Sequence, residues 1–168
     1  MAEQGGNRDH ILNVACRLFS ERGYEAVGIL EICETCGVTK PTLYHWFGSK
    51  RGLLDAVMEE KGGPLLAAIT AASRYQGNVQ AGLEGLARGF CRFAQAEPGF
   101  YRLRLASSFA PLDSEAWKAA SVLNTSIFEA VETFFKAAAK DHGNMKGRHR
   151  PFAATFIGTL DTYVGFWL

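Results

Sequence analysis

The sequence predicts an all-α fold, and three observations support this prediction. Apolar residues recur at intervals of three and four along most of the chain, as they do on the buried face of an amphipathic helix. Glycine, proline and helix-capping residues separate these apolar segments. No run of residues has the alternating pattern that supports a strand. With 168 residues, 48% of them hydrophobic, the chain is long enough to bury a core in one or two domains.

The first two helices are predicted from apolar spacing and from the residues at their ends. Residues 1–6 are expected to form a disordered arm. A first helix begins near Arg8 with Asn7 as its N-cap, and it ends at Gly23, because glycine commonly follows the last turn of a helix. A second helix covers about residues 29–36, whose apolar side chains share one face.

The third and fourth helices follow directly. Thr39 or Lys40 caps a short third helix, and Pro41 lies in its first turn, where a missing N–H does no harm. Ser49 caps a fourth helix over about residues 49–61. Residues 7–50 are therefore predicted to form one small helical domain, which the fourth helix connects to the rest of the chain.

Residues 62–168 are predicted to form a second helical domain. Gly62-Gly63-Pro64 predicts either a kink or a helix end, since the apolar pattern continues beyond it. Three further helices and a final one are expected over about residues 79–97, 100–109, 114–141 and 151–168. The last pattern is still strongly apolar at Leu168, so a further helix is expected to belong to this domain.

The distribution of charge is more informative than the net charge of +1. Residues 1–61 contain 7 Lys+Arg and 9 Asp+Glu, a balance of −2. Between Gly37 and Gly52 there are Lys40, Lys50 and Arg51 and no acidic residue, a balance of +3. The sequence lacks an apolar run of membrane-spanning length, and the start of the chain has no apolar signal region. We therefore expect a cytoplasmic protein with one local basic edge and no membrane partner.

The second and third helices have the spacing of a helix-turn-helix. They are short, a glycine-containing turn joins them, and Leu43, Trp46 and Phe47 give the third helix an apolar inner face. The outer face of the third helix is polar, aromatic and cationic. A helix-turn-helix places its second helix in the major groove of DNA. This segment therefore predicts a double-stranded DNA partner.

The segment from Ile11 to Val57 resembles the DNA-binding domain of TetR-type (TetR/AcrR) transcriptional regulators. The most specific part of the resemblance is the pattern Thr-Leu-Tyr-x-x-Phe-x-Ser-Lys, which runs from Thr42 to Lys50. The whole resembling segment, from Ile11 to Val57, covers about a quarter of the chain. The remaining matches are Ala15, Leu18, Phe19, Gly23-Tyr24, Ile32, Gly37-Val38, Leu53-Leu54 and Ala56-Val57.

The resemblance implies that the third helix and the start of the fourth bind the DNA. The residues it assigns to this role are Thr39, Lys40, Pro41, Thr42, Tyr44, His45 and Lys50. Lys40 and Thr42 are candidates for base edges, whereas Tyr44, His45 and Lys50 are better assigned to phosphates. A surface aromatic that covers Leu43 and a solvated helix start are the structural alternatives for Tyr44 and Lys50.

Three features depart from the family pattern. Gly28 stands where Thr or Ser usually caps the second helix, and Pro41 replaces a small residue in the recognition helix. Cys33 and Cys36 replace two small residues of the second helix in a Cys-x-x-Cys spacing. No second pair completes a zinc site, so buried thiols are the preferred interpretation, with a redox- or metal-sensing variant as the alternative. No cofactor is expected.

The C-terminal half is rich in aromatic residues, and the family resemblance implies an effector pocket there. A packed helical core is the alternative for each aromatic residue alone. The resemblance also implies a homodimer in which the last helices pack across a two-fold axis. The candidate pocket residues are Phe90, Phe93, Phe100, Tyr101, Phe109, Trp117 and Phe128. The candidate dimer residues, on the final helix, are Phe152, Phe156, Leu160, Tyr163, Val164 and Trp167.

The sequence as a whole predicts a ligand-responsive transcriptional regulator that is not an enzyme. The four histidines are scattered, and the chain has no Ser/His/acid set or phosphate loop. A repressor is expected, bound as a homodimer to a near-palindromic operator and released by a small apolar or amphipathic effector. A helical enzyme or a ligand carrier without DNA binding is the remote alternative.

Overall fold

The computed structural model describes residues 2–168, with side chains from Asn7 onward. Within this range the chain forms eight α-helices and one short 3₁₀ helix, and none of these residues forms a strand. The all-α prediction is therefore confirmed. The helices are α1 (Ala2–Arg22), α2 (Ile29–Cys36), α3 (Lys40–Phe47), α4 (Lys50–Ala72), α5 (Val79–Ala96), α6 (Pro98–Ser108), α7 (Glu115–Ala138) and α8 (His149–Trp167), with the 3₁₀ helix at Gly143–Met145.

The chain divides into two compact units, and α4 and α7 each contribute to both. The first unit consists of residues 1–62 and 99–121, and the second of residues 63–98 and 122–168. This grouping differs from the expected domains, because α6 and the first turns of α7 join the N-terminal helices. Among the described residues, no helix is both long and apolar enough to cross a membrane.

The core of the first unit is built by the apolar faces of α1 to α4. Ile11, Ile32, Leu43, Leu53 and Leu54 are completely buried. These side chains come from all four helices at helical spacing, which is why the sequence pattern located them. Burying one such side chain contributes about 1.5–3 kcal/mol to folding. The short α2 and α3 are therefore held mainly by packing, since helices of this length are marginal alone.

Helix α1 begins at Ala2 rather than near Arg8, so the helix extends into the segment predicted as an arm, and Asn7 is not its N-cap. A helix that is already fixed by packed residues such as Ile11 can propagate backwards at little cost, because nucleation is the unfavourable step. Met1 lies outside the described residues. The predicted end of α1 at Gly23 agrees with the structure, where Gly23 has a φ of 83°.

Helix α4 continues through Gly62-Gly63-Pro64, where the sequence allows either a kink or an end. Pro64 lies inside the helix. The side chain before a proline normally opposes a helical backbone, but Gly63 has no Cβ to clash with the proline ring. Leu65 and Ile69, after the proline, are completely buried. Their burial outweighs the backbone hydrogen bond that the proline cannot make.

The second unit is held by aromatic contacts on α7. Phe134 is completely buried, and its ring meets the edge of Tyr75 at 5.7 Å between ring centroids. Phe152 of α8 stacks on Phe135 at 5.6 Å. Helix α5 approaches α7 closely at Gly82, where a Cβ atom would lie 2.2 Å from the Phe134 ring. Glycine is required there by space.

A buried carboxylate on α7 adds an ionic contact to the second unit. Glu132 is 5% exposed, its carboxylate lies 3.0 Å from the Lys136 ammonium, and His149 at the start of α8 lies 3.5 Å away. The hydrogen bond from Lys136 is the main reason that the pKa of Glu132 is lowered. The carboxylate therefore stays ionised beside its basic neighbours.

Candidate nucleic-acid interface

Helix α3 is fixed in the first unit by one buried face. Leu43 is completely buried and Phe47 is 8% exposed, while Trp46 is half-buried beside them. The Arg8 guanidinium lies 5.4 Å from the centroid of the Phe47 ring and also pairs with Glu60, at 2.9 Å between Nη1 and Oε2. These contacts define which face of α3 points outward.

The start of α3 is capped by Thr39. The Thr39 Oγ1 accepts a hydrogen bond from the Thr42 backbone N–H at 3.4 Å, and the two hydroxyl oxygens lie 2.9 Å apart. Of the two capping residues that the sequence allowed, the structure uses Thr39, and Pro41 lies in the first turn. Thr39 thus stabilises the helix that carries the other candidate residues.

The outward face of α3 carries the exposed candidates. Lys40, Pro41, Tyr44 and His45 are all exposed, and Tyr44 exposes 43% of its surface. Because residues three and four apart lie on the same side of a helix, these four side chains form one continuous surface. The His45 ring meets the edge of Trp46 at 5.4 Å between centroids, which restricts the histidine. We call these residues together with Thr42 the α3 face.

Lys50 lies at the N-terminus of α4, and the local structure holds its ammonium in place. The Ser49 Oγ accepts a hydrogen bond from the Gly52 N–H at 2.9 Å, as predicted for a cap. The Lys50 Nζ donates to the Glu25 carbonyl at 3.5 Å and lies 4.2 Å from the centroid of the Tyr24 ring. Lys50 is half-buried, so it is not a freely solvated residue at a helix start.

Tyr24 is a functional candidate to which the sequence assigns no role in DNA binding, although it is among the matches to the family pattern. Its side chain is 4% exposed, its ring packs against Phe19 at 5.2 Å, and its hydroxyl donates a hydrogen bond to the Glu115 carboxylate. Burial, followed by the hydrogen bond to Glu115, raises the pKa of Tyr24. The tyrosine therefore stays protonated and remains a donor. No sequence signal indicates that it supports Lys50.

The remaining charges near this surface are largely paired, which limits its positive potential. Arg51 bonds to Asp55 at 2.8 Å within α4, and Arg22 pairs with Glu31. In the segment between Gly37 and Gly52, the positive charges that are not in these ion pairs are Lys40 and Lys50. A ligand of this surface must therefore be recognised by a few placed groups rather than by a broad basic field.

The cysteines of α2 lie in the first unit as small core residues. Cys33 is 4% exposed and Cys36 is half-buried. Burial raises the pKa of both thiols, although Lys40 lowers that of Cys33 and Arg17 that of Cys36 to a smaller extent. A thiolate is the form that reacts and binds metals. The raised pKa values therefore favour the buried-thiol interpretation over a sensor.

The candidate pocket residues are distributed over both units, and one of them needs correction. Phe90, Phe100 and Tyr101 are buried, and Phe93, Trp117 and Phe128 are half-buried. Phe109, in contrast, is 87% exposed. It follows the last residue of α6, Ser108, so the helical spacing that suggested an inward side chain no longer applies.

Three candidate dimer residues pack inside the second unit. Phe152 and Phe156 contact the Phe135 ring, at 5.6 and 6.3 Å between centroids, and Val164 is 4% exposed. Leu160 is half-buried. The apolar stripe predicted for the dimer interface is therefore not all exposed, because its first residues, Phe152 and Phe156, pack against α7 in the core of the second unit. The apolar surface that α8 does expose consists of Tyr163, Phe166 and Trp167, of which Phe166 was not predicted.

The segment that contains α2 and α3 is similar in sequence to known regulatory proteins. Residues 11–57 match the sequence profile described as "Bacterial regulatory proteins, tetR family". The matched segment contains α2, α3 and the start of α4. The HTH-type transcriptional activator FasR of Mycolicibacterium smegmatis is 27% identical over 161 residues, which cover 96% of this chain and 72% of FasR.

Solved structures have the same fold along nearly the whole chain. A putative fatty acid metabolism regulator of Clostridium perfringens aligns with a TM-score of 0.81 and 18% identity, over 94% of this chain and 84% of that one. The SmeT–triclosan complex aligns with a TM-score of 0.73 and 20% identity, over 92% and 78% of the two chains. At these identities the likeness shows the fold.

Proposed function

Since this chain belongs to the tetR family of bacterial regulatory proteins and is thus a DNA-binding transcriptional regulator rather than an enzyme, we propose that it represses its target genes as a homodimer. In this proposal the α3 face of each protomer enters a major groove, and the two grooves are one helical turn apart. Members of this family bind DNA and small-molecule effectors and are typically dimeric. The protein would act in the cytoplasm.

The observation that carries this proposal is the outward face of α3. One side of α3 is buried through Leu43, and the opposite side presents Lys40, Tyr44 and His45 to solvent. Lys50 stands beside this helix at the N-terminus of α4, where the helix dipole also favours an anion. A rigid helix with a cation at its border suits the shape and charge of a DNA groove.

Base and phosphate contacts are divided among these residues by their chemistry. Lys40 and Thr42 lie in the first turn of α3, the part of a recognition helix that reaches base edges. Tyr44, His45 and Lys50 can donate to phosphate oxygens, which fixes the register of the protein without reading sequence. Pro41 restricts the backbone of the first turn and can contact a thymine methyl group.

The exposed end of α8 supports the dimer in this proposal. Tyr163, Phe166 and Trp167 expose 72%, 87% and 60% of their surfaces, which is unusual for three large side chains so close together. Beside them Thr155, Gly158, Thr159, Thr162 and Tyr163 line a groove of about 480 Å³. Small residues of this kind allow another helix to approach closely. A second copy of α8 is the proposed partner.

An effector would act by binding more tightly to a conformation that does not fit the operator. Coupling of about 1–3 kcal/mol is typical for such regulation. The Clostridium perfringens protein is named for fatty acid metabolism, and SmeT forms a complex with triclosan. Both names support an apolar or amphipathic effector for this chain.

Selection of bound duplexes from a random DNA pool tests the proposal directly. We expect an enriched inverted repeat, because two identical recognition helices related by a two-fold axis read the same half-site. Enrichment of a single half-site would contradict the dimer, and absence of any enrichment would contradict sequence-specific DNA binding. A reporter gene placed behind the selected sequence then distinguishes repression from activation.

A further inference from the structure

Three residues that are distant in sequence form a connected set in the first unit. Tyr24, in the turn between α1 and α2, donates its hydroxyl hydrogen bond to the carboxylate of Glu115, the first residue of α7. The face of the same Tyr24 ring lies 4.2 Å from the ammonium of Lys50. We propose that Glu115 and Tyr24 are positioning residues for Lys50, so that the start of α7 controls the affinity for DNA. This inference rests on the proposed function.

Tyr24 is rigid enough to transmit such an effect. It is 4% exposed and packs against Phe19, which is 1% exposed. The remaining freedom of a packed tyrosine is a tilt of its ring, and the hydrogen bond at its hydroxyl opposes that tilt. A hydroxyl donating to a carboxylate forms one of the stronger kinds of hydrogen bond. Glu115 therefore fixes the orientation of the Tyr24 ring, over whose face the Lys50 ammonium lies.

Lys50 remains able to bind a phosphate while it is held in this way. An ammonium has three N–H donors, and the structure directs one of them to the Glu25 carbonyl at 3.5 Å. The Tyr24 ring attracts the ammonium electrostatically through the negative face of the ring, and this contact does not require a directed hydrogen bond from the lysine. A lysine that is already held loses less rotamer freedom when it binds, and this pre-organisation raises affinity.

Glu115 is attached to a well-defined helix start. The Ser114 Oγ accepts a hydrogen bond from the Trp117 N–H at 3.2 Å and so caps α7. Ala116 is buried in the next position, and α7 runs without interruption to Ala138. A displacement of the first turn of α7 would move the carboxylate away from the Tyr24 hydroxyl. Lys50 would then lose its support without any change in α3.

A pair of substitutions at Glu115 separates this role from a simple charge effect. Glu115→Gln and Glu115→Ala remove the same negative charge, but only glutamine keeps an oxygen that can accept the Tyr24 hydrogen bond. Charge alone predicts that both variants bind polyanionic DNA at least as tightly as the wild type. The positioning role predicts that Glu115→Ala binds about threefold to tenfold more weakly per protomer than Glu115→Gln, the range expected for one hydrogen bond.

The measurement is the dissociation constant for a random-sequence duplex of about 30 base pairs, long enough for two successive half-sites. Thermal unfolding of each variant is recorded first, so that affinities are compared among folded proteins. Tyr24→Phe keeps the ring and removes the donor, and we expect it to bind as weakly as Glu115→Ala. Both Glu115 substitutions are repeated in a Lys50→Ala background, where we expect Glu115→Ala and Glu115→Gln to have equal affinities.

Two results would overturn the inference alone. One is equal affinity of Glu115→Ala and Glu115→Gln in a protein whose wild type binds DNA. The other is a difference between them that persists in the Lys50→Ala background, because the effect would then not pass through Lys50. Failure of the wild-type protein to bind the duplex, in contrast, would overturn the proposed function and this inference together.

Discussion

The substitution Lys50→Ala tests whether the α4 N-terminus binds a phosphate. Each phosphate contact that a protein makes contributes about 0.9 to the slope of log K against log salt concentration. Two protomers with one contact each therefore contribute about 1.8 to that slope. When salt rises fourfold, from about 50 to 200 mM, the wild-type affinity should fall about twelvefold more than that of the variant.

The assay is a salt titration of DNA binding on both a selected operator and a random duplex. Lys50→Ala also removes the contact with the Tyr24 ring, which is worth about 0.5–1 kcal/mol at a partly exposed site, so measurements are made well below the unfolding temperature. Lys61→Ala is the matched control. Lys61 lies on the same helix, about 16 Å further along its axis, and donates to Asn13 within the first unit.

Three outcomes of this titration have different meanings. A slope reduced equally on both DNAs, with no change for Lys61→Ala, is the expected result. An unchanged slope for Lys50→Ala would refute the phosphate assignment, whatever the loss of affinity. A loss confined to the operator would instead mean that Lys50 reads a base edge.

Three other substitutions, and a fourth that serves as a control, test separate parts of the molecule. Thr42→Ala should cost about 1–3 kcal/mol at one operator position per half-site, measured by competition with single-base operator variants, and equal losses on random DNA would reject base reading. Gly82→Ala should lower the free energy of unfolding, measured by chemical denaturation, by about 1–3 kcal/mol, because the added Cβ meets the buried Phe134 ring. Gly85→Ala is the control: a Cβ there has no neighbour within 4 Å, so this substitution should raise the free energy of unfolding by about 0.5–1 kcal/mol. Glu132 has a lowered pKa in the folded state, so its stabilisation is present at neutral pH and is lost as the pH falls through that pKa. Glu132→Gln should therefore be less stable than the wild type at pH 7, with a difference that disappears in acid; a constant difference would contradict the ionic role.

Features that depend on neighbouring residues could be predicted from the sequence. Ser49 caps α4 through an N–H group three residues away, and its residue type and position are sufficient to predict it. For α3 the same rule leaves Thr39 and Lys40 as alternatives, of which the structure uses Thr39. The outward side of α3 could also be predicted, since helical spacing separates Leu43 from Tyr44 and His45. Local rules of this kind are therefore sufficient to locate the candidate DNA surface.

Features that depend on tertiary contacts could not be predicted. Lys50 and Tyr24 are separated by the whole of α2 and α3, and nothing in the sequence pairs an ammonium with one particular ring. Glu115 lies further still from Tyr24, 91 positions along the chain. The exposure of Phe109 has a similar origin, because apolar spacing does not show where a helix ends and the chain turns away.

The sharing of α4 and α7 between the two compact units has a consequence for the thermodynamics of unfolding. Each unit contains one part of both helices, with the divisions after Gly62 and after Ser121. If either unit unfolded alone, the other would keep only a shortened part of α4 and of α7, and shorter helices have fewer backbone hydrogen bonds to offset the cost of nucleation. The units should therefore melt in one transition, with the tryptophan fluorescence and the helical circular dichroism of the whole chain changing at the same temperature. Two separated transitions would show that each unit is stable without the shared helices.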